Sequence, residues 1–207
     1  MNDTILTQLT DDEPATLHRL HARLAENAAA TDTLDVAYRT VDTPIGPLLL
    51  AATEHGLVRV AFAVEGHDTV LQNLAERISP RILAAPKRLD AAAHAIDEYF
   101  AGRPVRFELP LDLRLSRGFR LTVLEQLRRI GYGQRASYGT VAAELGSPRA
   151  TRAVGTACAT NPLPVVIPCH RVVRSDGSVG QYLAGPAVKR ALLDLESGLA
   201  PHFLGHD

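Results

Sequence analysis

Cysteine is scarce in this 207-residue chain: Cys158 and Cys169 are the only two. They lack the spacing of a metal-ligand pair, and a small secreted disulfide framework would carry more of them. A reducing, cytoplasmic setting fits that count. Long hydrophobic runs are also missing, so nothing resembles a membrane span and no membrane partner is expected. The first residues, Met1-Asn2-Asp3-Thr4, hold no basic region followed by a hydrophobic stretch, so no secretory signal is expected. There are no internal repeats and no low-complexity segments. Net charge is nearly absent as well, at −1. That balance hides an asymmetry. Residues 1–113 hold 10 Lys and Arg against 17 Asp and Glu, and residues 114–207 hold 12 against 6. A basic half joined to an acidic half points to an anionic partner for the second half, with nucleic acid the usual one. Charge alone leaves a chance partition of solvated arginines equally open.

What is present suffices for a real core, in one large or two small domains. Pro14 suits the first turn of a helix over 12–30, in which Leu17, Leu20 and Leu24 recur at helical spacing. A packing arm is its default role. The period then changes. Val36 to Val41, Leu48 to Leu50 and Leu57 to Phe62 read as strands of an antiparallel meander, punctuated by Pro44-Ile45-Gly46-Pro47 and Glu54-His55-Gly56. Helices are expected near 67–78 and 88–101, one more strand over Val105 to Leu109, and a linker over Pro110 to Ser116. The second half reads as mostly helical. Phe119 to Ile130 is amphipathic, Ser137 to Leu145 forms a short helix closed by Gly146, and Arg149 to Ala159 forms another, with Ser147 as cap and Pro148 at its first position. The last two form a helix-turn-helix pattern.

The third of these helices carries small residues, Ala150, Ala153, Gly155, Thr156 and Ala157, alongside Arg149 and Arg152. Such side chains have little with which to read base edges in a major groove. They would let the backbone lie in a minor groove while an arginine inserts; a helix packed tightly on its neighbours is the alternative. The chemistry concentrates in Ile167-Pro168-Cys169-His170-Arg171-Val172-Val173. Apolar neighbours imply a buried segment, and a protonated histidine or an arginine beside a thiol favours the nucleophilic thiolate. A buried structural cysteine followed by two solvated charges is the competing reading. Cys158, in a helix with no adjacent base, reads as packing.

From Phe119 to Glu196 the chain resembles the active-site domain of the O6-alkylguanine-DNA alkyltransferases. The resemblance runs through Ala136-Ser137-Tyr138-Gly139, Arg152-Ala153-Val154-Gly155, Asn161-Pro162, Pro168-Cys169-His170-Arg171-Val172, Gly180-Gln181-Tyr182 and Leu192-Leu193-Asp194-Leu195-Glu196. It implies an α/β fold with a ribonuclease H-like domain of antiparallel sheet and helices over 34–113 and a mostly helical, winged helix-turn-helix-like domain over 114–207. The N-terminal helical extension over 1–33 is a first part that stands outside the family's common core.

The resemblance also implies roles. Cys169 is the alkyl acceptor, and His170 relays its proton toward Glu196. Asn161 braces the turn before the active-site segment. Tyr138 promotes rotation of the base and protonates it. Arg152 enters the duplex, with Arg149, Ala153, Gly155 and Thr156 on the DNA-facing side. Pro164, Val172, Tyr182 and Leu183 border the base pocket. The implied partner is double-stranded DNA carrying O6-alkylguanine, met by a monomer with no cofactor. Attack by sulfur on the alkyl carbon requires the base to leave the stack. It yields a thioether that no residue here could hydrolyse, so one transfer per molecule is expected, from guanine O6 and also from thymine O4.

Leu183 departs from the small or polar residues that many relatives carry after this tyrosine, which bears on the alkyl groups accepted. Residues 1–113 contain no cysteine, so the structural zinc of some relatives is not expected. Two other classes are disfavoured. A lesion sensor without transfer lacks the acceptor cysteine, which Cys169 supplies, and a regulator driven by its own alkylation would need a further acceptor domain. A hydrolase is disfavoured too, because an adjacent Cys-His pair cannot reach the usual nucleophile–base geometry.

Overall fold

In the computed structural model, residues 13–31 and 33–199 are described, so residues 1–12, 32 and 200–207 of the first and last predicted parts lie outside the description. Helix α1, Glu13–Ala30, opens the described chain. Its leucine stripe does not make the contact with the body. Leu17, Leu20 and Leu24 point outward, while Ala25 is buried and Ala28 packs on the core.

Strands β1 (Val36–Val41), β2 (Leu48–Thr53) and β3 (Gly56–Phe62) form the expected antiparallel meander. Gly56 is required where β3 begins. Its φ is +132°, and a Cβ there would lie 2.2 Å from the Pro110 carbonyl oxygen. Helix α2, His67–Arg77, covers one face of the sheet through Val70 and Leu74. The fourth strand is not the expected Val105 to Leu109. It is β4, Ile82–Ala84, which pairs parallel with β1 and gives the order β3-β2-β1-β4. Val105, Phe107 and Leu109 alternate because one side of an extended segment rests on the core. The segment joins no ladder among the described residues, and the chain meets the sheet just beyond it, where Leu111 bridges Leu57 of β3.

Helix α3, Asp90–Phe100, follows a 3₁₀ turn and buries Ala92, Ala93, Ile96 and Tyr99. The expected linker is not loose. Leu57 N–H donates to Pro110 O and Asp112 N–H to Leu57 O, and the buried Asp112 accepts from Thr53 and Arg114. A free edge strand presents unpaired backbone groups, and here the connection supplies their partners.

The second half comprises α4 (Phe119–Leu127), β5 (Ala136–Ser137), α5 (Tyr138–Glu144), α6 (Thr151–Ala159), β6 (Val172–Val173) and α7 (Gly185–Glu196). Ser137 caps α5, its hydroxyl accepting from Thr140 N–H at 2.9 Å. Helix α6 starts later than expected. Ser147 and Ala150 close a turn, Ser147 caps nothing, and Arg149 precedes the helix instead of rising from it. One continuous apolar cluster runs from Leu34, Leu50 and Ile96 to Leu124, Val154, Ile167 and Leu192, so both halves share a core. The family of helices and the small β5–β6 ladder on one side, with the sheet on the other, are the α/β architecture expected.

Candidate active site

The loop between α6 and β6 carries the reactive residues. It is anchored to the sheet, because Pro162 O accepts from Val60 N–H at 2.9 Å and from Arg59 Nη1 at 3.0 Å. Within it Val165 has φ +71°. A β-branched residue in that region is strained by about 1–3 kcal/mol, and its complete burial together with the surrounding hydrogen bonds holds it there. Asn161 organises the turn. Its Oδ1 accepts from Leu163 N–H at 3.0 Å, and its Nδ2 donates to Ile167 O at 2.8 Å and to the Cys169 sulfur at 3.1 Å. Asn161 therefore braces the loop and also donates directly to the Cys169 sulfur.

Cys169, His170 and Arg171 form a single 3₁₀ turn. With three residues per turn, successive side chains diverge by about 120°. His170 and Arg171 consequently point away from the sulfur, which corrects the expectation that they charge it directly. Burial pushes the Cys169 thiol up; the Asn161 donor and the Lys189 charge pull it partly back. The thiol at rest is protonated.

His170 and Arg171 converge on Glu196 instead. His170 Nε2 lies 2.7 Å from Glu196 Oε1, and Arg171 grips both carboxylate oxygens, at 2.8 and 2.9 Å. Arg171 also donates to Ile130 O, and Gly133 N–H donates to Glu196 Oε2 at 3.1 Å. Burial would raise the Glu196 carboxyl, but the His170 and Arg171 donors outweigh it and hold it at about 2. The Glu196–Arg171 pair is thus neutral overall, and a proton on His170 would be an extra buried charge. Burial keeps the imidazole neutral, its pKa lowered, against the pull of Glu196. With Nε2–H turned to the carboxylate, Nδ1 is the acceptor, and it is buried with no hydrogen-bond partner among the described residues.

Lys189 escaped the sequence reading. It is fully buried on α7, donates to Val172 O at 2.5 Å and lies 5.7 Å from the centre of the Tyr138 ring. Its signal was present in the sequence. Lys189 falls between Val188 and Leu192, on the apolar face of a helix. Tyr138 itself is brought to the site by the parallel pairing of Ala136 with Val172 and Ser137 with Val173. Burial, with the two thiols adding, pushes its phenol up to about 12, so it is a neutral donor.

A cavity of about 740 Å³ opens over Cys169. Tyr138, Arg152, Gly155, Thr156, Tyr182 and Leu183 are on its wall, and so is Cys158, which sequence reasoning had assigned to packing alone. Leu183 is 41% exposed at this wall. Pro164 and Val172 are buried and stand outside the wall. On α6, Val154 and Ala157 face the core, while Arg152, Ala153 and Thr156 are exposed. A Cβ on Gly155 would meet nothing within 4 Å. Tight packing on neighbours therefore explains the buried Ala157 but not Ala153, Gly155 and Thr156. Arg152 makes no hydrogen bond or ion pair through its guanidinium among the described residues, and Arg149 is exposed in the turn before the helix.

Comparisons with known proteins agree with this arrangement. The family model of the 6-O-methylguanine DNA methyltransferase ribonuclease-like domain matches residues 36–113, and that of the DNA binding domain of the same family matches residues 118–198. A methylated-DNA–protein-cysteine methyltransferase of Mycobacterium tuberculosis is 38% identical over 172 residues, covering 80% of this chain and 95% of its own length. The constitutive methylated-DNA–protein-cysteine methyltransferase of Bacillus subtilis is 36% identical over 164 residues, covering 77% and 94%. Among solved structures, the Mycobacterium tuberculosis OGT in complex with DNA superposes with a TM-score of 0.69 at 37% identity, covering 81% of this chain and 97% of that one. The O6-methylguanine-DNA methyltransferase of Pyrococcus kodakaraensis gives 0.55 at 25% identity, covering 78% and 98%. With both halves matched in order and relatives covered nearly end to end, this chain belongs to the 6-O-methylguanine DNA methyltransferase family, the methylated-DNA–protein-cysteine methyltransferases of DNA repair.

Proposed function

We propose that this protein reverses alkylation damage by moving one alkyl group from guanine O6, or thymine O4, in duplex DNA onto Cys169, once per molecule. The observation that carries this reading is the buried Cys169 thiol at the cavity, with Asn161 donating to its sulfur and the His170–Glu196–Arg171 cluster beside it.

The chemistry follows from the groups present. His170 Nδ1 accepts the thiol proton through a water, while Glu196 holds Nε2–H and fixes the tautomer. The thiolate forms only as it is needed and is held by Asn161 Nδ2 and the nearby positive charge of Lys189. A sulfur lone pair attacks the saturated carbon, a C–S bond forms, and the C–O pair passes to the guanine oxygen. Tyr138, a neutral phenol, donates to the base as that charge develops and so improves the leaving group. Removing the base from the stack costs roughly a few kcal/mol. The exposed Arg152 is suited to hold the vacated space, and the open, small-residue side of α6 to lie against the minor groove. Tyr182 and Leu183 border the extruded base. Because the product is a thioether, whose C–S bond the groups here cannot hydrolyse, the protein is consumed.

Intact-mass measurement after incubation with a duplex containing one O6-methylguanine tests this. The expected result is a single added methyl group that maps to Cys169 and is lost in Cys169→Ser. An unchanged mass together with tight binding would overturn transfer in favour of lesion recognition.

A further inference from the structure

Tyr99 lies in the N-terminal half, on α3, yet its hydroxyl reaches the proton-relay cluster of the C-terminal half. The side chain is fully buried. Its O–H donates to Glu196 Oε1 at 2.8 Å and lies 3.4 Å from His170 Nε2. Burial and the Glu196 charge push the phenol well up, so it is always a donor. Its ring is fixed from several sides, by Phe100, Phe107 and Tyr132 at centroid distances of 5.2, 5.8 and 6.1 Å, and by the His170 ring at 6.3 Å.

We propose that Tyr99 is a positioning residue for alkyl transfer: its hydroxyl shares Glu196 Oε1 with His170 and thereby sets how strongly the carboxylate holds the imidazole. This rests on the transfer reading above. Glu196 receives five donors, from Tyr99, His170, Gly133 and two nitrogens of Arg171. Oε1 is the crowded oxygen, taking three of them. A donor that draws on Oε1 weakens its pull on the His170 N–H and makes Nδ1 less basic. Removing the phenol oxygen concentrates the carboxylate charge on His170 and raises its affinity for a proton. The charged and titratable groups around this pair are Glu196 and Lys189 from α7, Arg171 from the active-site turn, Tyr132 from the loop after α4, and Tyr182 from the cavity wall. None of them replaces the lost donor on Oε1.

The test is the single-turnover rate of methyl transfer to Cys169 from a methylated duplex, between pH 5 and pH 9, in the full chain and in Tyr99→Phe. His170 must be neutral to accept the thiol proton, so the acid limb moves to higher pH in the variant. A shift of about half to one unit is expected, with the rate well down the acid limb lower by roughly three- to tenfold and the plateau nearly unchanged. Phe100→Leu is the control. It loosens the same aromatic cluster without touching Glu196, and its limb stays where the unsubstituted chain has it. An unshifted limb in Tyr99→Phe, or equal shifts in both variants, overturns the proposal while leaving alkyl transfer intact. A parent chain that gains no methyl group overturns the transfer reading, and this inference with it.

Discussion

At the scale of single residues, the site is a set of buried polar groups that largely satisfy one another, with His170 Nδ1 left open toward the proton it is proposed to take. Neighbours in sequence diverge in space. Cys169 looks toward the cavity, while His170 and Arg171 look toward Glu196, so the motif presents a thiol on one side and an ion-pair cluster on the other. The cluster makes stability depend on pH. Glu196 has a folded pKa of about 2 against an ordinary 4.5. A lowered carboxyl stabilises the fold fully above 4.5 and loses that contribution as pH falls toward 2. The loss is on the order of 3 kcal/mol. His170, lowered from 6.5, acts in the same sense. The unfolded chain takes up its proton first, so stability begins to fall below about pH 6.5. Thermal unfolding between pH 8 and pH 3 checks both. The midpoint should decline in two stages, the first already under way at pH 5.5. Replacing His170 by Gln should remove that first stage, and its persistence would assign it to another histidine.

At the scale of elements, helix α6 has two faces with different duties. Val154 and Ala157 anchor it, and the opposite side is open. Gly155→Ala should therefore stabilise the free protein by about 0.5–1 kcal/mol, because the helix gains propensity and the methyl meets no neighbour. The same methyl would stand between the backbone and an approaching duplex, so repair of duplex DNA should slow. Arg152→Ala should slow repair of duplex DNA at least tenfold while sparing reaction with free O6-methylguanine, since an inserted arginine acts only when a stack must be held open. Single-turnover assays on the two substrates separate these effects. Equal losses on both would remove Arg152 from the DNA-inserted role.

At the scale of the whole molecule, the halves are joined through the edge of the sheet, through a shared apolar cluster and through Tyr99. Denaturant unfolding should accordingly show one transition, with signals from aromatic residues of the first half and from backbone helicity coinciding. Two separated transitions would mean that the halves fold independently despite the common core. The charge partition belongs to this scale too. The C-terminal half carries the positive excess, and α6 with the Arg149 turn lies in it. Affinity for duplex DNA should fall steeply and linearly on a logarithmic salt axis, with little dependence on sequence. Fluorescence anisotropy across a salt series checks this, and a flat response would argue against phosphate contacts by these arginines.

The sequence by itself determined the local features. The meander was legible because strand periodicity and turn residues are short-range signals, and the helices because apolar spacing and caps are. The proposed acceptor Cys169 was legible because Pro168-Cys169-His170-Arg171-Val172 is contiguous. The tertiary structure decided whatever depends on where side chains point and which distant segments meet. It put Ile82–Ala84 rather than Val105 to Leu109 into the sheet, and laid Val105, Phe107 and Leu109 against the core. It turned Leu17, Leu20 and Leu24 outward and seated α1 on Ala25 and Ala28. It aimed His170 and Arg171 at Glu196, 26 and 25 residues away in the chain. Lys189 and Tyr99 read in sequence as a helix-face charge and a core aromatic. They became parts of the site because burial forces each polar atom to find a partner, and that partner is fixed by packing in three dimensions rather than by neighbours along the chain.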